Sequence, residues 1–275
     1  MIDALDQLFA YQFMQNAFLA GTTAAVLAGI VGYFVVLRGE AFAGHTLAIV
    51  GFPGAAGAIL FGLPQLLGLA VLCTASGLGI GVLGRGAVRD RHAESAAIGT
   101  IQASMLALGF LFVSLYKGLL EGVYSILFGT FLGVTRAQVL LLLAIAVVAL
   151  AALAVIGRPL LYLSVDEPAA AAAGVPVRAL SIGFLVVLGL AIASTALITG
   201  ALLVFALLVM PAAGAAQLVA RPGPAMVVSV ALGLVIVWSS LTISYFTDLP
   251  IGFLVTGVGF VIYVVARVAR QFSRG

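Results

Sequence analysis

Nine apolar runs, most of them close to twenty residues long, leave this chain few places to fold other than a lipid bilayer. A hydrocarbon core of about 30 Å is crossed by about 20 helical residues rising about 1.5 Å each. The runs lie near 13–37, 45–62, 65–84, 93–115, 138–156, 179–197, 199–219, 225–245 and 251–266. They predict an all-α, polytopic transmembrane bundle of about nine spans. Eight and ten are the bounds, set by the short runs 45–62 and 251–266 and by the narrow break at Thr195, Thr199 and Gly200. Only 8% of the 275 residues are charged, against about 25% in an average soluble domain, so residues 1–275 read as one membrane domain.

The formal net charge of +3 reports topology rather than nucleic-acid binding once the basic residues are placed. Lys and Arg are retained on the cytoplasmic side of a membrane. With nine spans, one set of connections carries Arg38, Arg85, Arg89, Arg91, Arg158, Arg178, Arg221, Arg267, Arg270 and Arg274, which is ten of the twelve basic residues. Lys117 and Arg136 fall on the other side. The expected N-terminus is therefore outside and the C-terminus cytoplasmic. Asp3 and Asp6 stand where a cleavable leader would be basic, so the first run reads as a retained helix.

Two connections are more than turns. On the outer side, "KGLLEGVYSILFGTFLGVTR" is too interrupted to span and too apolar for a solvated loop, which predicts a short surface helix over about 119–133. On the inner side, Ser164, Asp166 and Glu167 precede an alanine run that stops at Gly174, with Pro176 beyond. Capping residue, early acids and terminal glycine predict a short cytoplasmic helix over about 164–176. Glycines at small-xxx-small spacing, as in Gly77 with Gly81 and Gly129 with Gly133, are expected to serve close helix packing.

No nucleophile-plus-base set, phosphate-cradling loop or cysteine-histidine metal spacing occurs in the chain, so an enzyme reading has no residues to carry it. Cys73 reads as a small buried hydrophobe and His92 as a loop residue. The span centres hold no ionisable group. Glu94 lies at an inner end, Asp248 at an outer end, and Gln102 and Gln217 are the deep polar side chains. Ion-coupled transporters keep charges inside the bundle. Energy for uphill transport is therefore expected to enter through a partner, and the inner helix is where one can push.

The stretch "FVVLRGEAFAGHTLAIVGFPG" is similar to the "VVLR" and "F-x-G-D-A-L-S-H-A-x-x-P-G" segments of the permease subunits of ATP-binding-cassette importers for zinc, manganese and iron, the metal-chelate family. "ESAAIGT", "ILFGTFLGV", "SVDEPAAAAAGVPVR", "LLVFALLVMPAAGA" and "YFTDLPIG" resemble further segments of that family in the expected order, over about residues 10 to 266. The resemblance implies a type II importer permease that pairs with a second copy, as a homodimer, or with a close relative. It also implies two cytoplasmic ATPase subunits and an extracellular solute-binding protein as partners, no tightly bound cofactor, and a divalent metal, zinc or manganese, as cargo.

On this resemblance the helix at 164–176 is the coupling helix, with Asp166, Glu167, Ala170, Ala172 and Gly174 as candidate ATPase contacts. The segment 119–133 is the outer gate, with Phe128, Gly129 and Phe131. Candidate pathway residues are His45, Pro53, Gly54, Glu94 and Gln102, and His45 is the candidate metal contact. In the family an Asp and a His four residues apart share one helix face. Here His45 stands at the Asp position and Ile49 at the His position, and Thr130 replaces the acid of the "LFGD" segment. A permease for a siderophore or cobalamin chelate, a secondary transporter and a non-transporting scaffold are the competing readings.

Overall fold

The computed structural model describes residues 10–83, 91–116 and 133–272, and within these the backbone alone at 91–94, 197–198 and 201–202. Among the described residues all regular structure beyond single turns is α-helical. In chain order the helices are α1 (Gln12–Arg38), α2 (Ala41–Leu60), α3 (Gln65–Leu83), α4 (Arg91–Leu115), α5 (Arg136–Val165), α6 (Glu167–Ala172), α7 (Val177–Thr199), α8 (Ala201–Leu218), α9 (Pro222–Thr247) and α10 (Ile251–Phe272). Eight of them are long and apolar enough to cross a membrane, and the run expected near 199–219 forms the shorter apolar helix α8.

Local chemistry sets the helix ends. Gly39 closes α1 at φ 69°, a left-handed conformation that glycine adopts without cost, and its N–H returns to the Val35 and Val36 carbonyls. A capping box of Thr135 and Gln138 opens α5. Pro222 opens α9, where a missing N–H costs nothing. Between α7 and α8 stands one residue, Gly200, at φ 80° and ψ 151°, a region essentially closed to side chains.

Two expected boundaries are corrected. The run 138–156 continues as helix to Val165, through Arg158 and Pro159. Ser164 does not cap the short inner helix, because its hydroxyl donates back to the Leu160 carbonyl at 2.6 Å and it stays inside α5. Asp166 is the cap instead, accepting from the Ala169 N–H at 2.9 Å, and α6 covers only Glu167–Ala172. Gly174 then turns the chain at φ 80°.

The core is built from α1, α2 and α7, which are mostly buried, while α4 and α10 are largely exposed. Backbones meet at glycines. A Cβ on Gly32 of α1 would collide with the Leu208 carbonyl of α8, and one on Gly77 of α3 would stand 2.5 Å from the Leu185 oxygen of α7. Gly81 packs on Ile182, and Gly189 on the Cys73 backbone, so the α3–α7 crossing is close at three points. The packing role expected of Gly77 and Gly81 is thus present. Cys73 is fully buried, as expected. Large apolar side chains such as Phe110, Val155 and Phe260 point outward, as lipid contact requires of a multi-pass membrane protein.

Candidate functional site

The first half of α2 gathers the polar groups of interest. His45 lies one turn into α2, half-buried, with its ring edge-on to Phe205 of α8 at a centroid distance of 4.9 Å. Its Nδ1 is buried with no hydrogen-bond partner among the described residues. The neighbouring Thr46 is fully buried and donates to Oε1 of Gln102 on α4 at 2.8 Å. Two sequence-predicted pathway residues, His45 and Gln102, are thereby tied to adjacent positions of one helix. Glu94 lies in the first turn of α4, and its side chain falls outside the described residues.

Pro53 sits in mid-helix without ending α2. Lacking an N–H, it leaves the carbonyl four residues back, on Ile49, without its helical donor. The surroundings of Pro53 are packed on both sides. A Cβ on Gly54 would stand 2.8 Å from the Gly68 carbonyl oxygen of α3, and one on Gly109 of α4 would stand 3.3 Å from the Cα of Pro53. Gly57 faces the Phe112 ring of α4. Among the described residues no group of three or more His, Cys, Asp or Glu comes together as a metal cage.

The candidate inner contacts divide by face. Ala170 is fully buried and anchors α6 to the bundle, whereas Asp166, Ala172 and Gly174 are exposed and Glu167 is half-buried. The candidate gate residues Phe128, Gly129 and Phe131, with most of the segment 119–133, lie outside the described residues.

Arg38, placed in a connection by the sequence, is the last residue of α1, and its side chain is withdrawn from solvent. Its Nε and Nη2 donate to Oε1 of Glu40 at 3.0 and 2.8 Å, and Nη2 also reaches the Ser181 hydroxyl on α7 at 2.9 Å. The guanidinium lies over the Phe184 ring, 5.4 Å from its centroid. Both charged side chains are withdrawn from solvent, 7% and 8% exposed. No spacing rule relates Arg38 to Ser181, which is 143 residues away. Gln217, expected as a deep polar group, accepts from Arg270 of α10 at 2.5 Å near the end of α8.

The model of the ABC 3 transport family matches residues 10–270, nearly the whole chain. The chain belongs to this family. It is a transmembrane permease of an ABC transporter, and the resemblance read from its motifs is correct. The manganese transport system membrane protein MntC of Listeria monocytogenes is 29% identical over 262 residues, covering 95% of this chain and 92% of that protein. The chelated iron transport system membrane protein YfeC of Yersinia pestis is 30% identical over 248 residues, covering 90% and 83%. Among solved structures, PsaBC from Streptococcus pneumoniae in complex with Fab superposes with a TM-score of 0.85 at 25% identity, covering 97% of this chain and 95% of that one.

Proposed function

We propose that this permease forms the translocation pathway of an ATP-driven importer for divalent metal ions, with manganese the leading cargo and zinc and iron in the same class. The observation that carries the cargo is the full-length similarity to permeases named for manganese and for chelated iron. The similarity to PsaBC supports assembly with cytoplasmic ATPase subunits, and by extension a second permease copy and an extracellular solute-binding protein.

In this reading α8 completes a ninth crossing, the N-terminus is outside, and the arginine-rich side is cytoplasmic. Arg38, the start of α7 and the exposed face of α6 then share the cytoplasmic side, and α6 offers Pro168, Ala171 and Ala172 as a smooth contact for the ATPase. The segment 119–133 acts as the outer gate. His45 lines the pathway. A neutral imidazole nitrogen is a ligand for borderline cations, and a buried Nδ1 without a partner among the described residues is suited to that part. One such donor, with no cage of acids around it among the described residues, suits a conduit that must release what it binds.

The test is reconstitution of the permease with its ATPase in vesicles supplied with the solute-binding protein. ATP-dependent accumulation of manganese, suppressed by competing zinc or iron, is expected. Accumulation of none of the three ions would overturn the proposal, and uptake restricted to a chelated complex would move the cargo to the chelate class.

A further inference from the structure

The buried cluster at the α1–α2 corner has no role in the pathway just described. A buried ion pair is a weak source of stability, since desolvating two charges costs about as much as their attraction returns. Its geometry is more telling. One guanidinium joins three elements: it belongs to the last residue of α1, it grips Glu40, where α2 begins, and it reaches Ser181 and Phe184 in the first two turns of α7. Glu40 also holds the first turn of α2 through its own carbonyl, which accepts from the Gly44 N–H at 3.0 Å, next to His45. On the other side, α7 follows α6 after a short turn at Gly174.

We propose that Arg38 and Glu40 are positioning residues that form a mechanical joint, carrying displacement of α6 and the start of α7 into the first turn of α2 and so into the placement of His45. The proposal rests on the reading of α6 as the ATPase contact. Its physical basis is directional. A planar fork with fixed donors keeps orientation as well as distance between the groups it connects, and the Phe184 ring over which the guanidinium lies is itself fully buried. Gly39, between the two charged residues, has open space around it and a left-handed φ of 69°, so the corner itself is not wedged by packing.

The experiment measures manganese ions transported per ATP hydrolysed by the reconstituted full complex, for Arg38→Gln, Glu40→Gln, Ser181→Ala and the control Ser229→Ala. Ser229 is equally buried and hydrogen-bonds the Gly29 carbonyl at 2.8 Å, far from α7 in its contacts. Arg38→Gln and Glu40→Gln are expected to lower the ratio at least about fivefold, the lower end of ordinary coupling between sites. Hydrolysis should continue, and the double variant should be no worse than either single one. Ser181→Ala is expected to lower it about twofold and Ser229→Ala not at all, since an interaction outside the coupled unit adds independently. An unchanged ratio in Glu40→Gln and Ser181→Ala, or an equal fall in Ser229→Ala, would overturn the joint. Should the charge variants fail to fold, an unchanged ratio in Ser181→Ala alone would do so. Absence of a cross-link between Cys at position 172 and the ATPase in the otherwise native complex would overturn the underlying reading, and the joint with it.

Discussion

Gly54 of α2 and Gly68 of α3 lie back to back, so close that a Cβ on the first would stand 2.8 Å from the carbonyl oxygen of the second. The obstructing atom is backbone and cannot rotate away. Gly54→Ala is therefore expected to destabilise the bundle by about 1–3 kcal/mol, the usual cost of overpacking, seen as a lower midpoint of thermal unfolding in detergent. Gly183→Ala, at a helical position with nothing within 4 Å, is the comparison and should be neutral or slightly stabilising. Equal midpoints for the two variants would remove the steric account of this crossing.

The single-residue link between α7 and α8 makes a second prediction. Gly200 has φ 80° and ψ 151°, which an L side chain adopts only with strain of about 1–3 kcal/mol. Gly200→Ala should lower the unfolding midpoint by a corresponding few degrees in a chain of this size. A variant as stable as the parent would mean that the link relaxes freely.

His45→Ala should slow manganese uptake most at limiting metal while leaving the permease–ATPase complex intact on size-exclusion chromatography. The adjacent Thr46→Val strands Gln102 of α4 without its 2.8 Å donor and is expected to cost about 1 kcal/mol of stability. The two effects separate ligand from scaffold. Normal uptake in His45→Ala would exclude the imidazole from transport.

At α6, Cys substituted at Ala172 should cross-link to the ATPase and react with a water-soluble thiol reagent only when the cytoplasmic side is accessible. Cys at Ala170 should stay unreactive in the folded protein, because that side chain is fully buried. Labelling at 172 from outside intact cells would reverse the proposed orientation.

Helix positions were legible in the sequence because twenty apolar residues leave one folded solution in lipid. Helix ends were less so. The run ending near 156 belongs to a helix that reaches Val165, since charge at Arg158 marks a change of solvent and not the end of hydrogen bonding. Ser164 has the chemistry of a cap, yet its hydroxyl is used by the Leu160 carbonyl one turn back, a choice that composition does not reveal. His45 and Gln102 were singled out as polar groups in apolar runs, but the hydroxyl of Thr46 that ties α4 to α2 gave no signal of its own. Arg38 was legible as a cation at the end of a span, but its partners on α7 were not, because they are remote in sequence.

That remoteness matters during synthesis. Glu40 is two residues from Arg38, whereas Ser181 follows Arg38 by 143 residues. The carboxylate can meet the guanidinium as soon as the α1–α2 corner leaves the ribosome, long before α7 exists. The nascent corner thus enters the membrane surface already close to electroneutral, and the late arrival of α7 adds orientation to a charge that has been compensated from the start.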